Sequence, residues 1–403
     1  MPDGFSPRYR WGMMFLLWLL YAAFGMVARS ISPLVTPILE DLSITYSQMG
    51  FILGSWQLTY ILAALFAGTV LDRWGIRKSV FAGMMLIALS AILRYTVSGF
   101  LGMLLAVAIF GAGGPMISIG GPKTISEWFD LDSRGTAVGI YTTGPWLGGL
   151  IALSLTNSLI MPLTGQSWRL TFVVYGSATA LAAVFWWILS YRIAAPIPNP
   201  EDRINRIFRS LFGVRTVRIL LPMALFSFAI GHGFSNWLPK ILETKGLTAA
   251  AAGWSAALPL VAGIPAVLLV PRLVPARKRN RTIALCSMLT IANLLVVTTA
   301  SGPLLYLFLC ILGVCNSPFM PLMLLILMDS PEIEPKYMGS AGGMFFCVAE
   351  IGGFAGPLVM GVLVDITGTF VAGILFLVCL CIAIFTMTCF LPKGAGDDSI
   401  PSG

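Results

Sequence analysis

Charge is scarce in this chain: Asp, Glu, Lys and Arg make up 10% of its 403 residues, while 57% are hydrophobic. A soluble domain carries roughly 25% charged residues, so the composition excludes an ordinary soluble fold and points to a polytopic membrane protein. Histidine is almost missing. The single copy, His232, lies in an apolar run, and no cluster stands at metal-ligand spacing. No GxxxxGK[ST] loop occurs, which argues against a nucleotide-driven pump. Neither an enzyme activity nor a metal or cofactor is therefore expected. Cysteine is absent from the first half. Cys286, Cys310, Cys315, Cys347, Cys379, Cys381 and Cys389 all fall in apolar runs of the second half, offer no loop framework for disulfides, and read as packing residues.

The apolar runs are continuous rather than alternating, which selects helices over a barrel. Dividing the chain at its loops gives twelve spans, each near the ~20 residues that cross a hydrocarbon core. They cover 13–37, 48–70, 79–98, 101–122, 136–159, 170–191, 219–239, 252–271, 282–300, 303–327, 339–362 and 369–391. Basic residues crowd alternate loops: Arg8 and Arg10 before span 1, Arg73, Arg77 and Lys78 after span 2, Arg192 to Arg218 around the centre, and Arg272 to Arg281 after span 8. The net charge of +8 is thus topogenic rather than a nucleic-acid patch, and both termini are expected on the cytoplasmic side of a plasma (inner) membrane. The opposite loops are short, with Glu40 and Asp41 in the first. Span 1 lacks a small-residue cleavage site and reads as retained.

The longest polar stretch, 192–218, divides the spans six and six and reads as a cytoplasmic linker. The expected domains are 1–191, a six-helix bundle, and 219–403, a second bundle with a short cytoplasmic tail. The halves repeat. Pro37-Ile-Leu-Glu40 is followed by Thr45 and Gly50; Lys240-Ile-Leu-Glu243, 203 residues later, is followed by Thr248 and Gly253. Gly135, Gly139 and Gly148-Gly149 recur at an offset of 204 as Gly339, Gly343 and Gly352-Gly353.

Arg29 is a permanent cation inside an apolar stretch long enough to span a bilayer. Placing it there costs about 2.5 to 3.5 kcal/mol on insertion scales, which favours a task such as holding an anion. The alternative is snorkelling, since Arg29 lies about 16 residues, or about 24 Å, beyond Met13. The repeat pairs Arg29 with His232 at the same offset of 203. His232 could serve substrate or proton, or simply pack.

Between spans 2 and 3 runs Gly68-Thr-Val-Leu-Asp72-Arg73-Trp74-Gly75-Ile-Arg77-Lys78. Gly68 would permit close helix approach, Gly75 would turn the loop, and Asp72 would pair with a cation or helix N-terminus on the facing bundle. This segment resembles the loop signature of the major facilitator superfamily, and length, span count, central loop and repeat extend the resemblance over the whole chain. Within that superfamily, Arg29-Ser-Ile-Ser-Pro33, Leu93-Arg94 and Asn236-Trp237-Leu-Pro239 look like the cyanate porter branch, while Ser126-Glu127-Trp128-Phe129 is shared with carboxylate and anion carriers. The resemblance implies an all-α membrane protein of twelve transmembrane helices in two pseudo-symmetric six-helix bundles, the major facilitator fold. It also implies gating by Asp72, Arg73, Gly68 and Gly75. Gly144-Pro145-Trp-Leu-Gly148-Gly149 is similar to the tail of an antiporter motif and reads as tight helix packing.

The expected function is secondary transport of a small organic or inorganic anion, of carboxylate, cyanate or nitrate type, by alternating access and coupled to protons. Arg29, His232, Asn316, Asn236 and Tyr141 are the candidate substrate residues; an amide in a span needs a partner, whereas an aromatic there is more often packing. Glu350 and His232 are the candidate proton-coupling groups, because a buried carboxylate either pairs with a cation or takes up a proton. The alternative for Glu350 is a static contact between helices. Arg94 is expected to anchor span 3 at the interface. The expected partners are the anion, protons and the lipid bilayer, with no nucleic acid, and the protein is expected to act as a monomer. Two other readings are an exporter of amphiphiles and a transport-inactive sensor.

Overall fold

A computed structural model describes residues 7–191, 211–334 and 337–391. A backbone in hydrocarbon has no water to bond to, so it satisfies its own N–H and C=O groups by coiling. Among the described residues there is no strand, and twelve helices are long and apolar enough to cross a membrane. In chain order they are α1 Tyr9–Leu42, α2 Tyr46–Trp74, α3 Ile76–Thr96, α4 Phe100–Ser126, α5 Ser133–Leu163, α6 Trp168–Leu189, α7 Arg215–Thr244, α8 Ala249–Leu273, α9 Ala276–Thr299, α10 Gly302–Met328, α11 Met338–Thr367 and α12 Phe370–Thr388.

Most helices outrun the apolar windows read from the sequence, because polar residues at their ends continue or cap the coil. Thr45 and Gln48 form a reciprocal capping box that opens α2: the Gln48 N–H donates to Thr45 Oγ1 at 3.2 Å, and the Thr45 N–H to Gln48 Oε1 at 3.0 Å. Of the expected linker 192–218, positions 192–210 lie outside the described residues, while Arg215 and Arg218 belong to α7.

The chain forms two compact units, Met1–Pro200 with Leu238–Ala257, and Glu201–Trp237 with Leu258–Gly403. Each boundary inside the spans falls within a helix, α7 or α8. In the first unit α1 and α5 meet through small residues: a Cβ on Gly148 would run into the Ala22 carbonyl, and one on Gly25 into the Pro145 backbone. A Cβ on Gly111 of α4 would likewise strike the Trp56 carbonyl of α2. The second unit repeats both contacts, with Gly352 of α11 against the Leu225 carbonyl of α7, and Gly313 of α10 against the Pro259 carbonyl of α8. Ala22 and Leu225, like Trp56 and Pro259, are 203 residues apart. The sequence repeat is therefore a repeat of backbone approach, which in lipid is the main source of helix association.

Gly148→Ala and Gly352→Ala are each expected to cost about 1–3 kcal/mol through overpacking, read as a lower unfolding midpoint of the purified protein in detergent. Gly139→Ala, where a Cβ meets nothing within 4 Å, leaves the midpoint unchanged. Equal midpoints for all three variants would refute the repeated contact.

Candidate functional site

Arg29 ends the first α-helical segment of α1. The chain then turns through Ser30 and Ile31 into a 3-10 turn, Ser32–Leu34, and resumes as α-helix over Val35–Leu42. Pro33 has no N–H for the Arg29 carbonyl and Pro37 none for the Pro33 carbonyl, so the break leaves backbone groups that need other partners. The Val27 carbonyl receives Ser30 Oγ at 2.7 Å and the Ser30 N–H at 3.3 Å. The Pro33 carbonyl receives Asn157 Nδ2 at 2.8 Å, from a π-helical turn of α5, Thr156–Ile160. Arg29 is half-buried at the lip of this break.

Arg94 is not an interfacial anchor. Its side chain is 1% exposed, with Nη1 donating to Ser30 Oγ and Nη2 to Ser90 Oγ, both at 3.3 Å, and the guanidinium lies 4.8 Å from the centre of the Phe172 ring. Hydroxyls and an aromatic face take the place of headgroup water. Tyr141 is also interior: its hydroxyl donates to the Ile117 carbonyl at 2.5 Å and its ring stacks on Tyr21 at 4.5 Å. The phenol proton of Tyr141, a candidate substrate residue, is thus engaged by backbone and its ring is enclosed.

In the second unit, α10 is interrupted after Asn316, and a second helical segment begins at Phe319. The Asn316 side-chain oxygen is buried with no hydrogen-bond partner among the described residues, and its Nδ2 would lie 3.7 Å from a Cβ at Gly231. This brings the amide beside the α7 turn that carries His232, whose ring is 5.4 Å from Phe228. Asn236, one turn further on, is buried. Glu350, in α11 of the same unit, has Oε2 buried with no hydrogen-bond partner among the described residues.

The loop after α2 turns at Gly75, whose φ of 79° is open to glycine at little cost. Its N–H closes α2 on the Leu71 carbonyl at 3.1 Å. Asp72 pairs with Lys123 of α4, in its own unit, a cation the sequence reading did not select. Arg73 is exposed, and a Cβ at Gly68 would meet open space. The close approach expected of Gly68 is made instead by Gly111 and Gly148, which sit on buried helix faces.

Another polar cluster went unread in the sequence. Thr36 donates its hydroxyl hydrogen bond to the Glu243 carboxylate and receives Lys240 Nζ at 2.9 Å, while Lys240 and Glu243 lie 3.9 Å apart. In the sequence Lys240 and Glu243 stand out only as members of the repeat. Asp130 lies between α4 and α5, outside the spans, and accepts the hydroxyl of Ser133 at the start of α5, which holds that carboxyl below its ordinary pKa.

Residues 17–357 match the Major Facilitator Superfamily. The chain is 23% identical to a hexuronate transporter of Bacillus subtilis (strain 168), covering 85% of each chain. It is also 23% identical to a D-galactonate transporter of Escherichia coli, covering 81% of this chain and 82% of the relative. A crystal structure of a D-xylose-proton symporter superposes with a TM-score of 0.78 at 16% identity, covering 96% of this chain and 98% of that one.

Asp72 and Lys123 are each about a third exposed, so their pair is expected to couple by about 0.2–1 kcal/mol, less at high salt. A double-mutant cycle on unfolding midpoints with Asp72→Asn and Lys123→Gln measures it. Strict additivity of the two substitutions would deny the pair any energetic role.

Proposed function

The chain belongs to the Major Facilitator Superfamily, and from that premise we propose that it carries a small organic carboxylate of the sugar-acid kind by alternating access, coupled to protons. It is a multi-pass membrane transporter and not an enzyme. The observation that carries the substrate reading is Arg29, a half-buried guanidinium at the break in α1. A guanidinium matches a carboxylate by two parallel hydrogen bonds and keeps its charge at any working pH. Relatives named for hexuronate and D-galactonate support the same class.

Asn316 sharpens that class. A buried acceptor oxygen without a partner calls for a donor; a sugar acid offers hydroxyl groups, whereas nitrate and cyanate as free anions offer none. We therefore assign Arg29 to the carboxylate and Asn316, with neighbouring His232 and Asn236, to hydroxyl recognition. Glu350 is the proposed proton carrier, since either a cation or a proton would relieve its buried oxygen. The Gly68, Asp72, Arg73 and Gly75 segment is the proposed gate on the cytoplasmic side, with both termini on that side of the plasma membrane, as the distribution of basic residues supports. The transporter is proposed to act as a monomer.

Proteoliposome uptake of D-glucuronate and D-galactonate tests the reading, with nitrate and cyanate as competitors. Arg29→Gln is expected to reduce uptake at low substrate by about tenfold or more, the scale of a lost charge-assisted hydrogen bond. Undiminished uptake by that variant would remove Arg29 from the site, and strong competition by nitrate would favour an inorganic anion.

Glu350→Gln is expected to abolish accumulation driven by a proton gradient while leaving counterflow exchange of the same substrate intact. Wild-type accumulation in this variant would move the coupling site elsewhere.

A further inference from the structure

Arg94 is fully buried, forms no ion pair among the described residues, and has an Nε with no hydrogen-bond partner. If this position needed only packing, an apolar side chain of similar volume would serve as well or better, since replacing buried charges in this way is often neutral or stabilising. The cation therefore calls for a task. Ser90 lies on its own helix one turn away and Phe172 supplies a ring. The hydroxyl it reaches on another helix is Ser30, the first residue after Arg29.

That contact is directional. By donating to Ser30 Oγ, Arg94 occupies the oxygen as an acceptor and leaves the Ser30 proton for the Val27 carbonyl at 2.7 Å. In an unbroken helix the Val27 carbonyl would receive the N–H of Ile31, four residues on; at the break, Ser30 takes over that role. Asn157 holds the other side of the break through the Pro33 carbonyl. We infer that Arg94 is a positioning residue: through Ser30 it fixes the break in α1 and so aims Arg29 at the substrate carboxylate. The aiming part rests on the anion-site reading of Arg29; the clamp on the break does not.

The experiment combines two readouts on the full chain. The first is the KM and maximal rate of D-glucuronate uptake in proteoliposomes. The second, independent of any substrate, is hydrogen exchange of the peptide covering residues 27–35, followed by mass spectrometry. Ser30→Ala removes one oxygen and is the variant least prone to misfold. It is expected to raise KM about tenfold, as for one hydrogen bond to a charged group, with the maximal rate within about twofold, and to speed exchange in 27–35. Arg94→Lys keeps the charge without the fork, so its KM falls between wild type and Arg94→Met. Folded Ser30→Ala and Arg94→Met with wild-type KM and wild-type exchange would overturn the inference. Faster exchange with unchanged KM would keep the clamp and overturn the aiming. If Arg29→Gln itself left KM unchanged, the anion-site reading would fail, while the exchange data would still decide whether Arg94 holds the break.

Discussion

A helix in hydrocarbon cannot hand its backbone groups to water, and wherever it breaks, side chains must take them over. The candidate site is organised around this constraint. The ladder in α1 stops at Arg29, Pro37 has no N–H to offer the Pro33 carbonyl, and the carbonyls of Val27 and Pro33 are met by Ser30 and by Asn157. Asn157 reaches its target from a π-helical turn, Thr156–Ile160, and such turns shift side-chain direction and are frequent at functional sites. The interruption in α10 follows the same rule. There the Ser317 hydroxyl returns to the Gly313 carbonyl at 2.7 Å, and Asn316 is left with an unpartnered oxygen next to the break. At the first break protein groups meet the Val27 and Pro33 carbonyls, while beside the second the Asn316 side-chain oxygen has no partner among the described residues.

The scaffold repeats but its breaks do not. Glycine meets carbonyl at Gly148 and Gly352, and again at Gly111 and Gly313, in the same register in both units. Yet α7, the counterpart of α1, runs as helix from Arg215 to Thr244 without interruption, and Asn236 stands where the repeat has Pro33. An asparagine keeps its N–H and the ladder with it. Likewise α4, the counterpart of α10, stays helical through Pro115 and Pro122. Close packing needs small residues at fixed positions and so preserves the repeat. The breaks follow no such demand and fall in different helices, α1 in the first half and α10 in the second.

What the sequence made legible were features set by composition, period or local backbone. Spans follow from continuous apolar runs, the repeat from glycine spacing, and the turn at Gly75 from a φ that other residues avoid. What it hid were choices of partner. Arg94 stands near a span end, where hydropathy alone suits a snorkelling residue, and no one-dimensional pattern places Ser30, Ser90 and Phe172 around it. Asp72 carried a clear demand for a cation, but Lys123, 51 residues away, gave no signal of being the one. Lys240 and Glu243 lie within the repeat segment and Thr36 just before its first copy, yet their meeting depends on tertiary packing. Gly68 erred the other way: a family position with a plausible packing role has open space around it.

The identity of the groups around Arg94 also bears on charge. A carboxylate partner would have solvated the guanidinium at least as well, but it would have cancelled its field. Serine hydroxyls and the face of Phe172 solvate the cation while leaving its net charge in place. In a region of low dielectric that charge is felt well beyond contact distance. An anion approaching Arg29 would therefore meet a region made positive by more than one residue, whereas a cation or a neutral amphiphile would gain nothing from it. On the proposal that Arg29 holds the substrate carboxylate, neutral partners for Arg94 favour an anion at the break over a cation.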